Sequence, residues 1–303
     1  MELGNIPQAF PYQGSKRKLA PLIVECIPRG TEVLLEPFAG SAAVSVTAAW
    51  AGRAKRFWLN DTHSALMGLW DRIIHDPEGL AADYERCWEG QHGREHEHYN
   101  LVRRQFNSSH RPELLLFLLA RCVKAAIRYN RNGEFNNSPD NRRKGMRPQT
   151  MARSILLVSQ ILGPSAKLTS QDYKAVLKEA GRRDVIYMDP PYQGVCKDRD
   201  CRYVQGVDYE EFVDELDKLN RRNVCFIISY DGRTGDKAYG KRLPEQLRLL
   251  HAEVLVGRST QATLLGRNYE TYESIYLSSA LVGKLGTVPG ELRGLRPALT
   301  LFG

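Results

Sequence analysis

The stretch Val185-Ile186-Tyr187-Met188-Asp189-Pro190-Pro191-Tyr192 decides the fold. Its first half is a short run of apolar and aromatic residues, which is typical of a buried strand in a parallel sheet. Its second half is a rigid turn, because the two prolines fix φ and supply no N–H donor. The stretch therefore predicts a strand that brings a carboxylate, free carbonyl oxygens and an aromatic ring to the carboxyl edge of a sheet.

These groups suit a planar exocyclic amine. The Asp189 carboxylate and the Pro190 carbonyl can accept the two N–H groups of an adenine amine, and Tyr192 can stack on the base. This arrangement would aim the nitrogen lone pair at an electrophile. A strand-ending turn capped by the aspartate is the alternative for an isolated Asp-Pro-Pro sequence.

Short apolar runs alternate with helical patterns on both sides of this stretch, which predicts an α/β fold with a mostly parallel sheet of seven strands and helices on both faces. Strands are predicted at 32–35, 56–59, 167–169, 185–188, 224–229, 252–256 and 274–277, and helices at 17–26, 43–51, 63–75, 112–127, 151–162, 171–180 and 209–220. The polar, helical block 76–164 interrupts the alternation. We therefore expect one domain made of 1–75 and 165–282, an inserted domain at 76–164, and a tail at 283–303.

Two more polar clusters follow predicted strands. Glu36-Pro37-Phe38-Ala39-Gly40-Ser41 forms a glycine turn, where a ligand can approach backbone amides at a helix N-terminus. Asn60-Asp61 ends the next strand, where an acidic residue is placed to bind the ribose hydroxyls of an adenosine cofactor. Capping of the following helix is an equal alternative for Asp61.

The composition is that of a globular chain, with 303 residues, 42% hydrophobic and 26% charged. It excludes a disulfide mini-scaffold and a disordered chain. The longest apolar run, 114–120, is far below the roughly 18 residues of a membrane span, and no signal peptide is recognisable. Six cysteines without paired spacing indicate reduced thiols, so we expect a cytoplasmic protein.

The positive charge is concentrated in one block. Nine basic and two acidic residues lie between 121 and 153, a surplus of 9 − 2 = 7 in a chain whose net charge is +8. The block also holds many Asn and Gly residues, which make turns and whose amides suit base edges. A polyanion such as nucleic acid is the expected partner, and a solvated loop is the alternative.

Five segments, taken in order, resemble the Dam-like family of DNA adenine-N6 methyltransferases, over about 12–278. They are Tyr12-Gln13-Gly14-Ser15-Lys16, the glycine turn, Leu59-Asn60-Asp61, Asp172-Tyr173 and Asp189-Pro190-Pro191-Tyr192. In the basic block, Arg128-Tyr129-Asn130 and Gly133-Glu134-Phe135-Asn136 resemble the target-recognition segment of that family. The segment 258–268 resembles a loop that lies close to DNA.

The resemblance implies a Rossmann-like methyltransferase sheet, an inserted target-recognition domain, S-adenosylmethionine as cofactor and double-stranded DNA as substrate. The implied cofactor-binding residues are Tyr12, Gly14, Lys16, Glu36, Pro37, Phe38, Gly40, Ser41, Asp61, Asp172, Tyr173 and Asp189. The implied catalytic residues are Asp189, Pro190, Pro191 and Tyr192. The expected DNA-binding residues are Lys124, Arg128, Tyr129, Asn130, Arg131, Asn136, Arg142, Arg143 and Lys144.

Three departures from the family pattern affect these expectations. Ala42 replaces the second glycine of the turn and tolerates the same backbone path only if its φ stays negative. Val123-Lys124-Ala125-Ala126 and Asn137-Ser138-Pro139-Asp140 replace family residues beside the recognition segment. Because such side chains read bases, we expect a target sequence other than GATC.

The expected reaction is direct transfer of a sulfonium methyl group to N6 of an adenine flipped out of the duplex, with no metal. Methylation of cytosine N4, methylation of adenine in RNA, and DNA binding without catalysis are the alternatives. The H-x-x-E-H pattern at 92–96 and the pair Cys196 and Cys201 lack further ligands for a metal. We expect a prokaryotic or phage-encoded protein that acts as a monomer, with a dimer as the alternative.

Overall fold

The structure is a computed structural model that describes residues 6–191, 207–234, 237–258 and 270–287. Several sequence predictions lie outside these ranges: Tyr192, Cys196, Cys201, residues 259–268 of the loop expected near DNA, and residues 288–303 of the tail.

One sheet forms the centre of the described part of the chain. Its strands lie in the order β3-β2-β1-β4-β5-β8-β7, and the short strand β6 pairs with β5. The neighbours from β3 to β5 pair in parallel, whereas β8 pairs antiparallel with both β5 and β7. The strands are β1 Thr31–Glu36, β2 Ala54–Asn60, β3 Ala166–Thr169, β4 Val185–Met188, β5 Cys225–Thr234, β6 Lys237–Tyr239, β7 Leu250–Arg258 and β8 Glu270–Leu277.

This sheet confirms the predicted α/β class and its mostly parallel character. The strand count differs, because the sheet has eight strands rather than seven. The additional strand arises because β5 continues past Ser229, through an irregularity before Gly232, and its extension pairs with β6. The short apolar run at 224–229 gave no sign of this extension.

Ten α-helices lie within the described ranges. They are α1 Ala20–Glu25, α2 Ala43–Trp50, α3 Ser64–His75, α4 Pro77–Glu89, α5 Glu95–Ser109, α6 Pro112–Arg121, α7 Pro148–Leu162, α8 Tyr173–Glu179, α9 Tyr209–Arg221 and α10 Ser279–Leu285. Helix α10 includes the first residues of the segment that the sequence predicted to be a tail from 283 onwards.

Hydrophobic cores cover both faces of the sheet, because successive strand residues point to opposite faces. Leu34 joins the core that contains α1, α2, α3 and α10, while its neighbour Leu35 joins the core of α8 and α9. Residues of α4, α5, α6 and α7 belong to the first of these cores. The block 76–164 thus packs on the central sheet through a continuous apolar core.

The helix predicted over 112–127 ends earlier than expected. Helix α6 stops at Arg121, Cys122 is extended, and Lys124 and Ala125 adopt positive φ angles of 60° and 51°. The apolar spacing continues past Arg121, which is why the pattern resembled a longer helix. Two consecutive left-handed residues cannot belong to an α-helix, so the chain turns here instead.

Candidate active site

Four neighbouring strands, β3, β2, β1 and β4, are parallel and therefore end at the same edge of the sheet. Asp172 and Tyr173 follow β3, Asp61 follows β2, the glycine turn follows β1, and Asp189 follows β4. The structure thus brings together segments that are up to 150 residues apart, at the edge where open α/β sheets bind ligands.

Asn60 ties three of these strand ends together. Its Nδ2 donates to the carbonyl oxygens of Pro37 at 3.0 Å and Gln171 at 2.9 Å. Its Oδ1 accepts from Thr169 Oγ1 at 2.7 Å and from Gln171 N at 3.1 Å. Asn60 is fully buried, so this complete set of hydrogen bonds fixes the platform beneath the site.

The glycine turn is held from three sides. Gly40 N donates to Asp61 Oδ2 at 3.1 Å, and the Gly40 carbonyl accepts from Trp70 Nε1 at 2.9 Å. The φ of Gly40 is 48°, and a Cβ at this position would lie 3.1 Å from the Tyr12 ring. Both the conformation and the close approach of Tyr12 therefore favour glycine.

The condition that φ of Ala42 must stay negative is not met. Its φ is 46° and its ψ is 35°, directly before α2. An alanine in this region costs about 1 kcal/mol relative to glycine. The surrounding hydrogen bonds impose the conformation, because Ala42 N donates to Ala39 O and Ala42 O accepts from Val46 N.

The N-terminal segment 12–16 docks against the glycine turn. Ser15 Oγ accepts from Ser41 Oγ at 2.9 Å, and Gln13 N donates to Ala125 O at 2.9 Å. Gly14 has a φ of 83°, which permits the sharp turn that leads to Lys16. The predicted cofactor residues Tyr12, Gly14 and Ser41 therefore lie together.

Lys16 contacts the catalytic carboxylate predicted from sequence. Its Nζ lies 2.9 Å from Asp189 Oδ1 and 3.4 Å from Glu273 Oε2 of β8, and its side chain is only 8% exposed. Burial raises the pKa of Asp189 to about 6, and Glu273 adds to this rise while the Lys16 cation opposes it. The carboxylate is thus ionised at neutral pH but close to its protonation range.

Asp61 and Glu36 are the two carboxylates at the glycine turn. Asp61 Oδ1 accepts from His63 N at 3.0 Å, while its Oδ2 receives the Gly40 amide. Helix α3 is capped by His63, so Asp61 is not the helix cap that the sequence left as an alternative. Glu36 is buried and accepts from Ser45 N at 3.1 Å, and burial raises its pKa to about 8.

An aromatic pair lines the site beyond β3. The rings of Phe38 and Tyr173 are 5.2 Å apart, and Tyr173 is buried. The Tyr173 hydroxyl has no hydrogen-bond partner among the described residues. Asp172 is exposed and caps α8 by accepting from Lys174 N at 2.8 Å. Of the predicted pair, Tyr173 therefore packs against Phe38 of the glycine turn, and Asp172 starts its helix.

The predicted target-recognition segment is a β-hairpin. Tyr129 bridges to Phe135, and Asn136 N donates to Arg128 O at 2.8 Å. Asn130 uses its side chain in the turn, where its Oδ1 accepts from the amides of Asn132 and Glu134 at 2.9 and 3.0 Å. Arg128 and Tyr129 are half-buried at its base, and the exposed predicted DNA contacts of this region are Lys124, Arg131 and Asn136.

The rest of the basic block is a loop held by buried polar groups. Tyr84 Oη donates to Met146 O at 2.6 Å, Gln91 Nε2 donates to Lys144 O at 3.0 Å, and Arg121 donates to Asp140 O at 2.9 Å. Arg121 is buried, so one of the nine basic residues counted in this block supports the loop instead of facing solvent.

These anchors leave three predicted DNA contacts on the outside of the loop, namely Arg142, Arg143 and Lys144. Arg143 Nε lies 3.1 Å from Asp140, and Lys144 Nζ lies 2.9 Å from Glu95. Exposed ion pairs of this kind contribute about 0–1 kcal/mol, so they break at little cost when a phosphate approaches.

Sequence reasoning missed three residues of the site: His63, Trp70 and Glu273. His63 follows Asp61 by two residues, at a helix start, which was a usable signal. Trp70 has the spacing of an ordinary core residue. Glu273 lies in the polar first half of β8, beside Thr271 and Ser274, so no local pattern marks it.

No helix in the described ranges has the length and apolar character needed to cross a membrane. No cluster of three or more His, Cys, Asp or Glu residues in them is arranged to hold a metal ion.

The mostly parallel sheet, the glycine turn beside an acidic strand end and the Asp-Pro-Pro turn meet at one edge, which is the arrangement that the resemblance to amine-directed methyltransferases implies. The family model of the D12 class N6 adenine-specific DNA methyltransferase matches residues 12–256, and the chain belongs to this family. The resemblance seen in the sequence motifs is thereby confirmed.

Individual relatives are similar at a lower level. The DNA N-6-adenine-methyltransferase of Escherichia phage P1 is 26% identical over 233 residues, which cover 74% of this chain and 29% of that protein. The DNA adenine methylase of Haemophilus influenzae is 26% identical over 185 residues, covering 60% of this chain and 62% of the relative. The type II methyltransferase M1.LlaDCHI of Lactococcus lactis subsp. cremoris is 26% identical over 191 residues, with coverages of 60% and 64%. The chain therefore spans less than two thirds of each of these relatives.

Proposed function

We propose that this protein is a site-specific DNA methyltransferase that transfers a methyl group from S-adenosylmethionine to N6 of adenine in duplex DNA. The observation that carries the proposal is the position of Asp189 and Pro190, which lie at the same sheet edge as the glycine turn and Asp61. Membership of an adenine-specific DNA methyltransferase family favours adenine over cytosine, and DNA over RNA.

The described residues fit an adenosine-containing cofactor. Gly40 leaves room where a Cβ would press on Tyr12, and Asp61 is a half-buried carboxylate whose pKa is raised by desolvation. The pair of Phe38 and Tyr173 offers an aromatic wall with an unsatisfied hydroxyl. In this proposal Asp61 binds ribose hydroxyls, and the aromatic wall contacts the adenine ring. S-adenosylmethionine supplies an electrophilic sulfonium methyl group.

Asp189 and Pro190 prepare the nucleophile. One carboxylate oxygen of Asp189 is bound by Lys16, so Oδ2 and the Pro190 carbonyl are the acceptors for the two N6–H groups. These bonds localise the lone pair on nitrogen and stabilise the positive charge that develops during transfer. Tyr192, which lies outside the described residues, is proposed to stack on the base.

Two segments form the proposed DNA interface: the hairpin at 128–136, called the recognition hairpin, and the loop at 137–147, called the basic loop. A target base inside the duplex is out of reach, so it must be flipped out at a cost of a few kcal/mol. Lys124, Arg131, Asn136 and Arg142 are exposed on this surface and are proposed to bind phosphates or base edges. We expect a recognition sequence other than GATC, and action as a monomer in the cytoplasm of a bacterial or phage-infected cell.

The test is the identity of the methylated nucleoside. Purified protein is incubated with labelled S-adenosylmethionine and either plasmid DNA or RNA, and the nucleic acid is digested to nucleosides. The proposal predicts label in N6-methyladenine from DNA. Label in methylcytosine, label in RNA alone, or no label in any nucleoside would reject it. Sequencing that detects modified adenine then identifies the target site.

A further inference from the structure

His63 makes three contacts that point in three directions. Its backbone N donates to Asp61 Oδ1 at 3.0 Å, and its Nδ1 accepts from Leu66 N at 2.9 Å as the cap of α3. Its Nε2 lies 2.6 Å from the hydroxyl of Tyr129 in the recognition hairpin. His63 therefore contacts both Asp61, which follows β2, and Tyr129 of the recognition hairpin.

The direction of these hydrogen bonds follows from the cap. Because Nδ1 accepts from the Leu66 amide, the neutral imidazole carries its proton on Nε2, which donates to the Tyr129 oxygen. The two rings also pack, with centroids 5.5 Å apart. The contact fixes both the position and the orientation of the Tyr129 side chain.

The other side of the hairpin is held independently. Asn107 of α5 accepts from Phe135 N at 2.8 Å and donates to Phe135 O at 3.2 Å. The rings of Phe135 and Tyr129 meet edge to face with centroids 6.1 Å apart. The base of the hairpin thus lies between a fixed anchor on α5 and the imidazole of His63.

Asp61 connects His63 to the proposed cofactor site. One of its oxygens binds His63 N and the other binds Gly40 N. A ribose that bonds to this carboxylate therefore acts on the same group that positions His63. We propose that His63 couples cofactor binding to the recognition hairpin, so that a bound cofactor presets Tyr129 and strengthens binding of duplex DNA. This inference rests on the function proposed above.

Two substitutions separate this role from a purely structural one. His63→Asn keeps a residue that caps helices well, but its side chain is too short to reach Tyr129. Tyr129→Phe keeps the ring and removes only the hydroxyl. His75→Asn is the matched control, because that imidazole is 63% exposed at the far end of α3.

The experiment measures the Kd for a duplex that carries the target site, with and without saturating S-adenosylhomocysteine. The wild type and the His75→Asn control should bind DNA several-fold more tightly when S-adenosylhomocysteine is present. The enhancement is the ratio of the DNA Kd without and with S-adenosylhomocysteine. In each test variant this ratio should be about fivefold smaller, which is the size expected for one net hydrogen bond. The double variant should lose no more than either single variant.

Each contrary outcome has a distinct meaning. An enhancement that is absent in the wild type, or equal in wild type and variants, overturns the coupling. Losses that add in the double variant also overturn it, because the two residues would then act separately. A wild-type protein that methylates adenine while showing such results leaves the proposed function intact. A protein without methylation activity refutes the proposed function instead.

Discussion

Replacing Lys16 by methionine should move the pH dependence of methyl transfer. The side chain is buried, and methionine fills a similar volume while removing the cation that lies 2.9 Å from Asp189. Loss of an opposite charge at this distance raises a carboxyl pKa by about 1–3. Glu273, which already raises the pKa of Asp189, remains nearby and acts in the same direction.

The size of the expected change in rate follows from the ionised fraction of Asp189. The pKa of Asp189 is about 6 in the wild type, so most of the carboxylate is ionised at pH 7. A pKa higher by about 2 lowers the ionised fraction at pH 7 by about tenfold. Protonation removes the negative charge that strengthens the hydrogen bond to N6–H and stabilises the positive charge developing on the nitrogen. For each protein the methylation rate should therefore rise as the pH passes the pKa of Asp189. The rate of the Lys16→Met variant should return towards the wild-type rate at alkaline pH.

The assay is the single-turnover rate of DNA methylation between pH 5 and pH 9, with cofactor and DNA saturating. Lys18→Met is the control, because Lys18 belongs to the same segment but is exposed. Its profile should match that of the wild type. A Lys16→Met profile with an unchanged midpoint, even at a reduced rate, would refute the assignment of Lys16 as the group that keeps Asp189 ionised.

Three other variants test the site and its surroundings. Asn60→Ala removes four buried hydrogen bonds and should lower the free energy of unfolding by about 3 kcal/mol in urea titrations, whereas a loss below about 1 kcal/mol would contradict its structural role. Gly40→Ala places a methyl group 3.1 Å from the Tyr12 ring at a positive φ and should weaken cofactor binding about tenfold by calorimetry, so unchanged affinity would show that the turn does not approach the ligand. Arg142→Ala should reduce the slope of log K against log salt by about 1 on all DNA sequences, and an unchanged slope would remove this residue from the phosphate interface.

The arrangement of the strand-end motifs could be predicted from sequence, because parallel strands necessarily end at one edge. Asp61, Gly40 and Asp189 each follow a short apolar run, and this pattern alone brings them together in a parallel sheet. The resemblance also predicts the position of the target-recognition segment, at 128–136. Its hairpin form was not predicted, since the apolar spacing of 112–127 continues where α6 has already ended.

Other features depend on contacts between distant residues, which leave no local pattern. The ion pair of Lys16 with Asp189 joins positions 173 residues apart, and Glu273 approaches it from an antiparallel strand. The left-handed Ala42 contradicts the local preference of alanine, because the turn around it dictates its conformation. In both cases tertiary structure overrides what the residue type favours.

The most direct test of the central claim compares the wild type with Asp189→Asn in a single-turnover methylation assay, together with the Kd for S-adenosylmethionine. The proposal predicts N6-methyladenine from the wild type and a loss of about 100-fold or more in rate for the variant, with cofactor binding within a few-fold of normal. A variant that methylates adenine at nearly the wild-type rate would contradict the role of Asp189 and the mechanism built on it.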